Sequence, residues 1–399
     1  MENTADVLII GAGPAGLACA AVLHDAGAAA TVLEGSGTPA AAWRARPAGL
    51  RLNTSRAFSH LPGLRFPRRA GTFPGRDDVV SYLESYAAHH HLDIRLRTAV
   101  HRVDRVIPGG DPAEPRWALT TSRGRVEARH VVVATGLLRT PSIPDWPGRD
   151  TFAGTLVAAA HHSDPAAFRG RDVLVVGAGC SGMEIAAELA DNRAATVHLS
   201  VRTPPNILLR SIAGLPGDPA AMLLLHLAPR TADALLAPLR RLTIGDLTAY
   251  GLPVPAEGPF QRLARTGDGP AVVDRGVLRH VRSGRIRVVP EVTALEPSGA
   301  RLADGRHLTT DAIIAATGYR SALASLVGHL DVLDDRGRPT AGADGQAVPG
   351  LWFIGFQPGP GQLGALGAEA RRITAGITSA AAVPARRIAD PSACGGRAR

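Results

Sequence analysis

The chain has 399 residues, which is more than one hydrophobic core usually serves and favours two domains. Apolar residues form 45% of the composition and aromatic residues 4%, as in compact α/β proteins, which excludes a disordered or fibrous protein. All 44 basic residues are arginine, which excludes lysine-dependent mechanisms, and their scatter argues against nucleic acid binding despite the net charge of +9.

The cysteines and the apolar runs exclude further classes of protein. Cys19, Cys180 and Cys394 lie far apart and form no CxxC pair, which argues against a disulfide scaffold, a zinc site and a dithiol redox centre. No signal peptide is visible, and no uncharged apolar run reaches the length of a membrane span. We therefore expect a cytoplasmic enzyme without a bound metal or an integral membrane segment. The sequence does not indicate its oligomeric state.

The first predicted unit is a strand, a glycine-rich turn, a helix and a second strand. Its three regular elements are predicted at residues 6–10 ("DVLII"), 14–26 and 30–34. Gly11, Gly13 and Gly16 match the spacing GxGxxG, in which glycines let the backbone approach a pyrophosphate at the start of a helix. Glu34 ends the second strand, where a carboxylate accepts hydrogen bonds from a ribose diol and repels a 2′-phosphate. This turn favours FAD, or otherwise NAD.

A copy of this unit follows a strand at residues 130–136 and a proline-rich connector at 140–148. The copy has its elements at residues 172–176 ("DVLVV"), 181–191 and 195–200. Gly177, Gly179 and Gly182 form the second glycine turn, and the second strand ends at Ser200, with Arg202 just beyond it. A hydroxyl and a guanidinium at that point favour a 2′-phosphate, so the second turn predicts NADPH.

The remaining segments predict a lid and a return to the first domain. Residues 207–250 contain amphipathic helical stretches, which we interpret as a lid or packing element, with a membrane-surface helix as the alternative. Residues 312–319 ("AIIAATGY") repeat the strand and turn of 130–136, and residues 350–355 predict a last strand before a helix over 363–380. If that helix begins at the flavin, at Gln362 and Leu363, its dipole stabilises negative charge on the reduced ring.

These elements predict an α/β fold of two Rossmann-like dinucleotide-binding domains, with the NADPH domain inserted into a discontinuous FAD domain. We expect the FAD domain at residues 1–145 and 305–385, the NADPH domain at 165–304 with its lid at about 207–250, and a flexible tail at 386–399. Two cradles in one chain bring a reductant to a bound flavin, because hydride transfer requires both rings at one point.

Several segments resemble the flavin-containing monooxygenases, and most of all the plant indole-3-pyruvate monooxygenases of the YUCCA type. Besides the two glycine turns they are residues 61–87, 250–259, 316–321 ("ATGYRS") and 350–356 ("GLWFIGF"). The resemblance implies an FAD- and NADPH-dependent monooxygenase. Such an enzyme inserts one atom of molecular oxygen into a small 2-oxo acid, amine or sulfide, through a flavin C4a-hydroperoxide protected from water. The alternatives are an FAD-dependent NAD(P)H reductase or oxidase that inserts no oxygen, and a non-catalytic redox sensor.

The resemblance also implies site residues. Residues 52–58 ("LNTSRAF") resemble the segment with the active-site asparagine, which implies that Asn53 is catalytic; the alternative is that Asn53 caps a turn. The family motif FxGxxxH falls on Phe152 and Gly154, but Ala158 replaces its histidine, which implies altered NADPH-linked steps unless His161 or His162 substitutes. The other positions expected at the cofactors are Trp43, Arg44, Gly136, Ser181, Gly318 and Gly355.

Overall fold

The computed structural model describes residues 4–106, 116–162, 164–342, 344–356 and 362–381. Two sheets built around parallel strands organise this part of the chain, and the first strand of each βαβ unit leads into a glycine turn. The predicted flexible tail at residues 386–399 lies outside the described residues.

The first sheet has eight strands and is built from both ends of the described chain. Its parallel strands follow the order Leu351–Phe353, Gly124–Val133, Thr4–Ile10, Ala30–Leu33 and Asp93–Arg95. Antiparallel strands extend it at Gln346–Val348, Arg116–Thr121 and Val100–Val106. The central strand carries the apolar run that predicted it, because a strand covered on both faces needs apolar side chains on both.

Side chains of that strand alternate between two cores. Val7 and Ile9 pack into a core with the helices Pro14–Asp25, Arg76–His89 and Gln362–Ala381. Leu8 and Ile10 face a second core that contains Trp117 and Phe353 and includes part of the short helix Ala324–Val327. The alternation follows from the two-residue period of a strand.

The second sheet has five parallel strands, in the order Ile286–Val289, Thr196–Ser200, Asp172–Val176, Ala312–Ala315 and Thr155–Ala158. The helices Cys180–Asp191 and Arg275–Arg282 pack on one face. A three-stranded antiparallel sheet packs on the other face, with strands Val292–Glu296, Gly299–Leu302 and His307–Thr309. We call these two assemblies the first unit and the second unit.

The predicted fold class is confirmed, because two parallel α/β sheets are present and the second unit is inserted between the segments of the first. Two strands lie outside the predicted limits of the NADPH domain, however. Thr155–Ala158 precedes residue 165, and Ala312–Ala315 falls in the stretch from 305 onward that we expected in the FAD domain. The segment at 312–319 repeats the strand at 130–136 because each unit uses such a strand beside its own glycine turn.

The segment predicted as a lid belongs to the second unit. Ile207–Leu209 pairs with Ala271–Val273, and Ser211–Ile212 pairs with Leu215–Pro216. Helices follow at Asp218–Leu224, Pro229–Thr243 and Pro259–Thr266. Among the described residues, no helix is both long and apolar enough to cross a membrane. Where the chain passes between the units, Thr140–Pro141 pairs with Tyr319–Arg320.

The described short elements complete the list: a helix at Ala41–Arg44 and 3₁₀ turns at Arg56–Phe58, Arg68–Ala70, Arg149–Thr151, Ala159–His161, Pro165–Phe168, Thr248–Tyr250 and Gly328–Leu330. Two of them matter for the site. The helix Ala41–Arg44 lies beside the first glycine turn, since the amide of Ala40 donates to the carbonyl of Ala12 at 3.0 Å. The turn Arg56–Phe58 begins three residues after Asn53.

Candidate functional site

The outer glycines of the first turn are required by the packing of the protein itself. Gly11 has a φ of 108°, which favours glycine, and a Cβ there would lie 2.9 Å from the carbonyl oxygen of Ala134. A Cβ on Gly16 would overlap the carbonyl oxygen of Gly11. These glycines therefore let the helix Pro14–Asp25 approach the sheet closely.

The second turn repeats this arrangement. Gly177 has a φ of 113°, and a Cβ there would lie 2.5 Å from the carbonyl oxygen of Ala316. A Cβ on Gly182 would overlap the carbonyl oxygen of Gly177. Ala316 thus takes the place in the second unit that Ala134 takes in the first, which is why the sequence Ala-Thr-Gly occurs after both strands.

Packing within the described part of the chain does not require glycine at the middle position of either turn. Gly13 has φ −83° and ψ −177°, and Gly179 has φ −78° and ψ −176°, a conformation open to any residue. For either one, no described atom lies within 4 Å of a Cβ. Each leaves open space in front of the amino terminus of a helix, where a phosphate can approach the backbone. The two turns therefore fit a dinucleotide pyrophosphate each.

Glu34 closes the first turn. Its carboxylate accepts hydrogen bonds from the amides of Ala12 and Ser36, both at 2.8 Å. Each oxygen keeps a further lone pair, so the half-buried carboxylate can still accept from ribose hydroxyls. The structure thus brings Glu34 to the turn, as the sequence predicted.

The other residues predicted around the first turn divide into two groups. Trp43 is half-buried against the first core, and Leu363 is buried in that core at the start of the last helix. Gly355 packs against Ala15, to whose Cβ its own Cβ would lie at 3.1 Å. Arg44, by contrast, is exposed and donates to Glu84 at 2.5 Å, so its guanidinium is already paired.

Gly136 and Thr135 follow Ala134 beside the first turn. A Cβ on Gly136 would meet no described atom within 4 Å. The hydroxyl of Thr135 is buried and, within the described ranges, has no hydrogen-bond partner. Sequence reasoning missed Thr135; the signal that could have found it is the repeated Ala-Thr-Gly. The side chain of Gln362 lies outside the described residues, although the predicted helix does begin there.

The residues predicted around the second turn differ in exposure and in their hydrogen-bond partners. Ser181 is exposed in the first turn of the helix Cys180–Asp191, and Arg202 is exposed with its Nη1 3.9 Å from Glu291. Gly318 falls within the stretch 305–385 that we expected in the FAD domain, but it follows the strand Ala312–Ala315 of the second unit and lies beside this turn. Ser200 is only 1% exposed, and its hydroxyl donates to the carbonyl of Pro290 at 2.9 Å. While this bond is made, the one hydroxyl proton of Ser200 is not available to a phosphate, so its expected role at the 2′-phosphate stays a prediction.

Asn53 lies where the two units meet. Its Oδ1 accepts a hydrogen bond from Nη2 of Arg210, in the second unit, at 3.0 Å. Two residues on, the amide of Ser55 donates to Asp218 at 2.7 Å, and this bond is buried. A Cβ on Gly364 would overlap the carbonyl oxygen of Phe58, so the last helix begins against the same segment. The side chain of Asn53 therefore faces the second unit.

Two carboxylates pair with the buried guanidinium of Arg210; the side chain of Asp274 is exposed and that of Glu184 is half-buried. Arg210 is 5% exposed and donates to Asp274 at 2.9 Å and to Glu184. Burial raises the pKa of the Glu184 carboxyl to about 7, although the Arg210 guanidinium acts in the opposite direction. Sequence reasoning missed all three residues, because they are far apart in the chain and match no motif.

The position of the missing motif histidine is closed. Ala158 ends the strand Thr155–Ala158 and is 2% exposed. His162 is buried against the ring of Phe168, with its Nε2 3.5 Å from a carboxylate oxygen of Glu188, on the second-turn helix. His161 is exposed. Of the two histidines, His162 is therefore the buried one, and it lies against the later turns of the helix Cys180–Asp191.

Comparisons with known proteins agree with this geometry. A family model described as "Pyridine nucleotide-disulphide oxidoreductase" matches residues 8–207. The chain is 36% identical to the indole-3-pyruvate monooxygenase YUCCA8 of Oryza sativa subsp. japonica, over 93% of this chain and 90% of that protein. It is 34% identical to the probable indole-3-pyruvate monooxygenase YUCCA1 of Arabidopsis thaliana, over 88% of this chain and 84% of that protein.

Solved structures share the fold over almost the whole length. A flavin-containing monooxygenase from Stenotrophomonas maltophilia is 25% identical, with a TM-score of 0.72 over 96% of this chain and 100% of that chain. A cyclohexanone monooxygenase is 18% identical, with a TM-score of 0.65 over 95% of this chain and 88% of that chain. The second likeness bears on the fold alone.

Proposed function

This chain belongs to the flavin-containing monooxygenase family, and we propose that its substrate is a small aromatic 2-oxo acid of the indole-3-pyruvate type. As a member of that family it is an FAD- and NADPH-dependent monooxygenase, which inserts one oxygen atom into a small organic molecule. The proposed substrate comes from the rice and Arabidopsis relatives, which are named as indole-3-pyruvate monooxygenases.

The open space at Gly13 and Gly179 supports this function most directly. Each position leaves backbone without a side chain in front of a helix amino terminus, which is the arrangement that binds a pyrophosphate. A chain with two such sites can hold a hydride donor and a hydride acceptor at once.

We assign FAD to the first turn and NADPH to the second. Glu34 can accept hydrogen bonds from an unmodified ribose but would repel a 2′-phosphate. The unpaired hydroxyl of Thr135 adds a buried polar group on the FAD side. Arg202 is 78% exposed and only loosely paired, so its guanidinium is available to a 2′-phosphate.

The protein's own residues bind the cofactors, orient the reacting groups and keep water out of the site. When bound, the flavin supplies the activation of molecular oxygen, with electrons from NADPH. Asn53 offers the two N–H donors of its Nδ2, which can stabilise negative charge that develops on an oxygen atom beside it. The bond from Ser55 to Asp218 holds the segment after Asp218 against the Asn53 segment, and a closed site keeps water from the reaction.

The test is a labelled turnover. Protein loaded with FAD is mixed with NADPH, indole-3-pyruvate and oxygen-18 gas, and the products are identified by mass spectrometry. Parallel samples contain catalase, because free hydrogen peroxide decarboxylates 2-oxo acids without an enzyme. The proposal predicts a product with one labelled oxygen atom for each NADPH consumed. NADPH consumption that yields only hydrogen peroxide, with 2-oxo acids, amines and sulfides alike, would favour the reductase or oxidase alternative. Labelled products from amines or sulfides alone would contradict only the substrate proposal.

A further inference from the structure

Arg210 is the centre of a charged cluster between the two units. Its Nη1 donates to Asp274 at 2.9 Å, and its Nη2 donates both to Glu184 and to Oδ1 of Asn53, the latter at 3.0 Å. Asn53 lies in the first unit, whereas Arg210 and both carboxylates lie in the second. One buried guanidinium therefore connects the expected catalytic segment to the helix of the second turn.

We infer that Arg210 is a positioning residue for oxygen transfer, which fixes the side-chain amide of Asn53 across the boundary between the units. The inference rests on the proposed function, because it takes Asn53 as the group beside the transferred oxygen. Arg210 donates directly to Asn53, and its proposed effect on the reaction is exerted through that amide.

The orientation of the amide follows from hydrogen-bond chemistry. A guanidinium only donates, so the atom of Asn53 that faces Arg210 must be the oxygen. Nδ2 then carries two N–H donors, and in the described part of the chain no acceptor takes them. Those donors remain for a ligand. Without Arg210 the side-chain amide of Asn53 is free to rotate by half a turn, and its acceptor oxygen would then replace the N–H donors at the same place.

Two carboxylates hold the guanidinium in place. A guanidinium buried to this degree is retained when its charge is paired, and the loss of both carboxylates would leave it uncompensated. Asp274 comes directly before the helix Arg275–Arg282, and Glu184 lies on the helix Cys180–Asp191. Burial raises the pKa of the Glu184 carboxyl to about 7.

The cluster also connects Asn53 to the second glycine turn. Glu184 lies about one helical turn after Cys180, at the amino-terminal end of the helix that leaves the open space at Gly179. That helix is therefore connected to the Asn53 amide by two hydrogen bonds, from Arg210 to Glu184 and from Arg210 to Asn53. The amide is set by the same helix that we expect to bind NADPH.

The experiment is a double-mutant cycle of Arg210→Lys and Asn53→Ala in the full chain with bound FAD. Lysine keeps the charge but has a single nitrogen, which cannot reach Asp274, Glu184 and Asn53 in the geometry of the guanidinium fork. The matched control is Arg262→Lys, since Arg262 is half-buried in the second unit and contacts Pro204 and Asp268 instead.

The cycle is read out in three ways. We expect Arg210→Lys to lower the oxygenated product formed per NADPH at least fivefold, with excess NADPH yielding peroxide, while FAD content and the rate of flavin reduction change less than twofold. In the Asn53→Ala background the same substitution should change product per NADPH by less than twofold. Arg262→Lys should change none of these. Equal losses in both backgrounds, or a loss of FAD content that accounts for the whole effect, would overturn the inference.

A readout without turnover separates this inference from the proposed function. If the bond between Arg210 and Asn53 exists, the Tm losses of the two single variants are not additive in the double variant. Additive losses would overturn the inference even if the enzyme is active, whereas an inactive wild type with non-additive losses would contradict only the proposed function. Where Arg210→Lys does not fold, the charge-balanced pair Arg210→Gln with Asp274→Asn takes its place, with the same expected outcomes.

Discussion

Gly13→Ala and Gly179→Ala separate the binding of each dinucleotide from folding. Both positions have extended backbone that alanine can adopt, and no described atom lies within 4 Å of the added Cβ. The folded protein therefore tolerates either change, whereas a pyrophosphate at that position meets a methyl group. We expect Gly13→Ala to bind FAD more weakly, and Gly179→Ala to keep FAD but bind NADPH more weakly.

The magnitudes follow from the same geometry. Replacing glycine by alanine at a compatible position stabilises a protein by about 0.4–1 kcal/mol, so the Tm of the apoprotein should not fall. Displacing a phosphate so that one charge-assisted backbone hydrogen bond is lost costs about 1.5–3 kcal/mol. That loss weakens dinucleotide binding about tenfold to a hundredfold.

The assay is titration of each apoprotein with FAD, followed by steady-state measurement of KM for NADPH. Gly16→Ala is the control for packing, because its Cβ overlaps the carbonyl oxygen of Gly11 and should unfold the first unit whether or not a ligand is present. A Gly13→Ala protein with unchanged FAD affinity would refute the assignment of the first turn. A Gly13→Ala apoprotein with a strongly lowered Tm would refute the claim that the position is open.

Three further results are expected. Arg202→Ala should raise KM for NADPH about tenfold and leave KM for NADH unchanged, since only NADPH carries the 2′-phosphate; equal changes for both nucleotides would contradict its role. The folded protein raises the pKa of Glu184 from 4.5 to about 7, so its contribution to the free energy of unfolding falls as pH rises through that window. This contribution amounts to about 1–2 kcal/mol after allowance for partial exposure. In chemical unfolding at several pH values, the free energy of unfolding of Glu184→Gln should therefore vary less with pH than that of the wild type, by that amount. Ala158→His should lower stability by about 1–3 kcal/mol because the site is buried and full, and a faster enzyme with unchanged Tm would contradict this.

Both glycine turns could be predicted from the sequence because their signals are local. An apolar run, three glycines at fixed spacing and a helix lie within a few residues of each other, and the packing of Gly11 and Gly16 confirms why the spacing is required. The position of Glu34 could be predicted in the same way, since the end of the second strand of a βαβ unit lies beside the glycine turn.

Pairing between distant segments could not be predicted. The strand Ala312–Ala315 has a local pattern that fits either sheet, and only its pairing with Asp172–Val176 and Thr155–Ala158 assigns it to the second. Ser200 was expected at a ligand because of its place in the chain, but its side chain donates to Pro290 instead. The direction in which a strand's last side chain points depends on packing from later segments, which sequence spacing does not contain.

The cluster of Glu184, Arg210 and Asp274 shows the same limit at the site itself. Each residue is unremarkable in its own stretch of sequence, and the chemistry arises only when three separate elements of the second unit converge on the Asn53 segment. By contrast, the role expected of Asn53 came from resemblance, and the structure adds the neighbour that orients its amide.

Anaerobic mixing of the purified protein with NADPH in a stopped-flow spectrophotometer tests the central claim, that one chain holds FAD and NADPH with their rings in contact. We expect a yellow protein whose flavin absorbance is bleached much faster by NADPH than by NADH and returns when air is admitted. A colourless protein that takes up no added FAD, or a bound flavin that NADPH does not reduce, would contradict it.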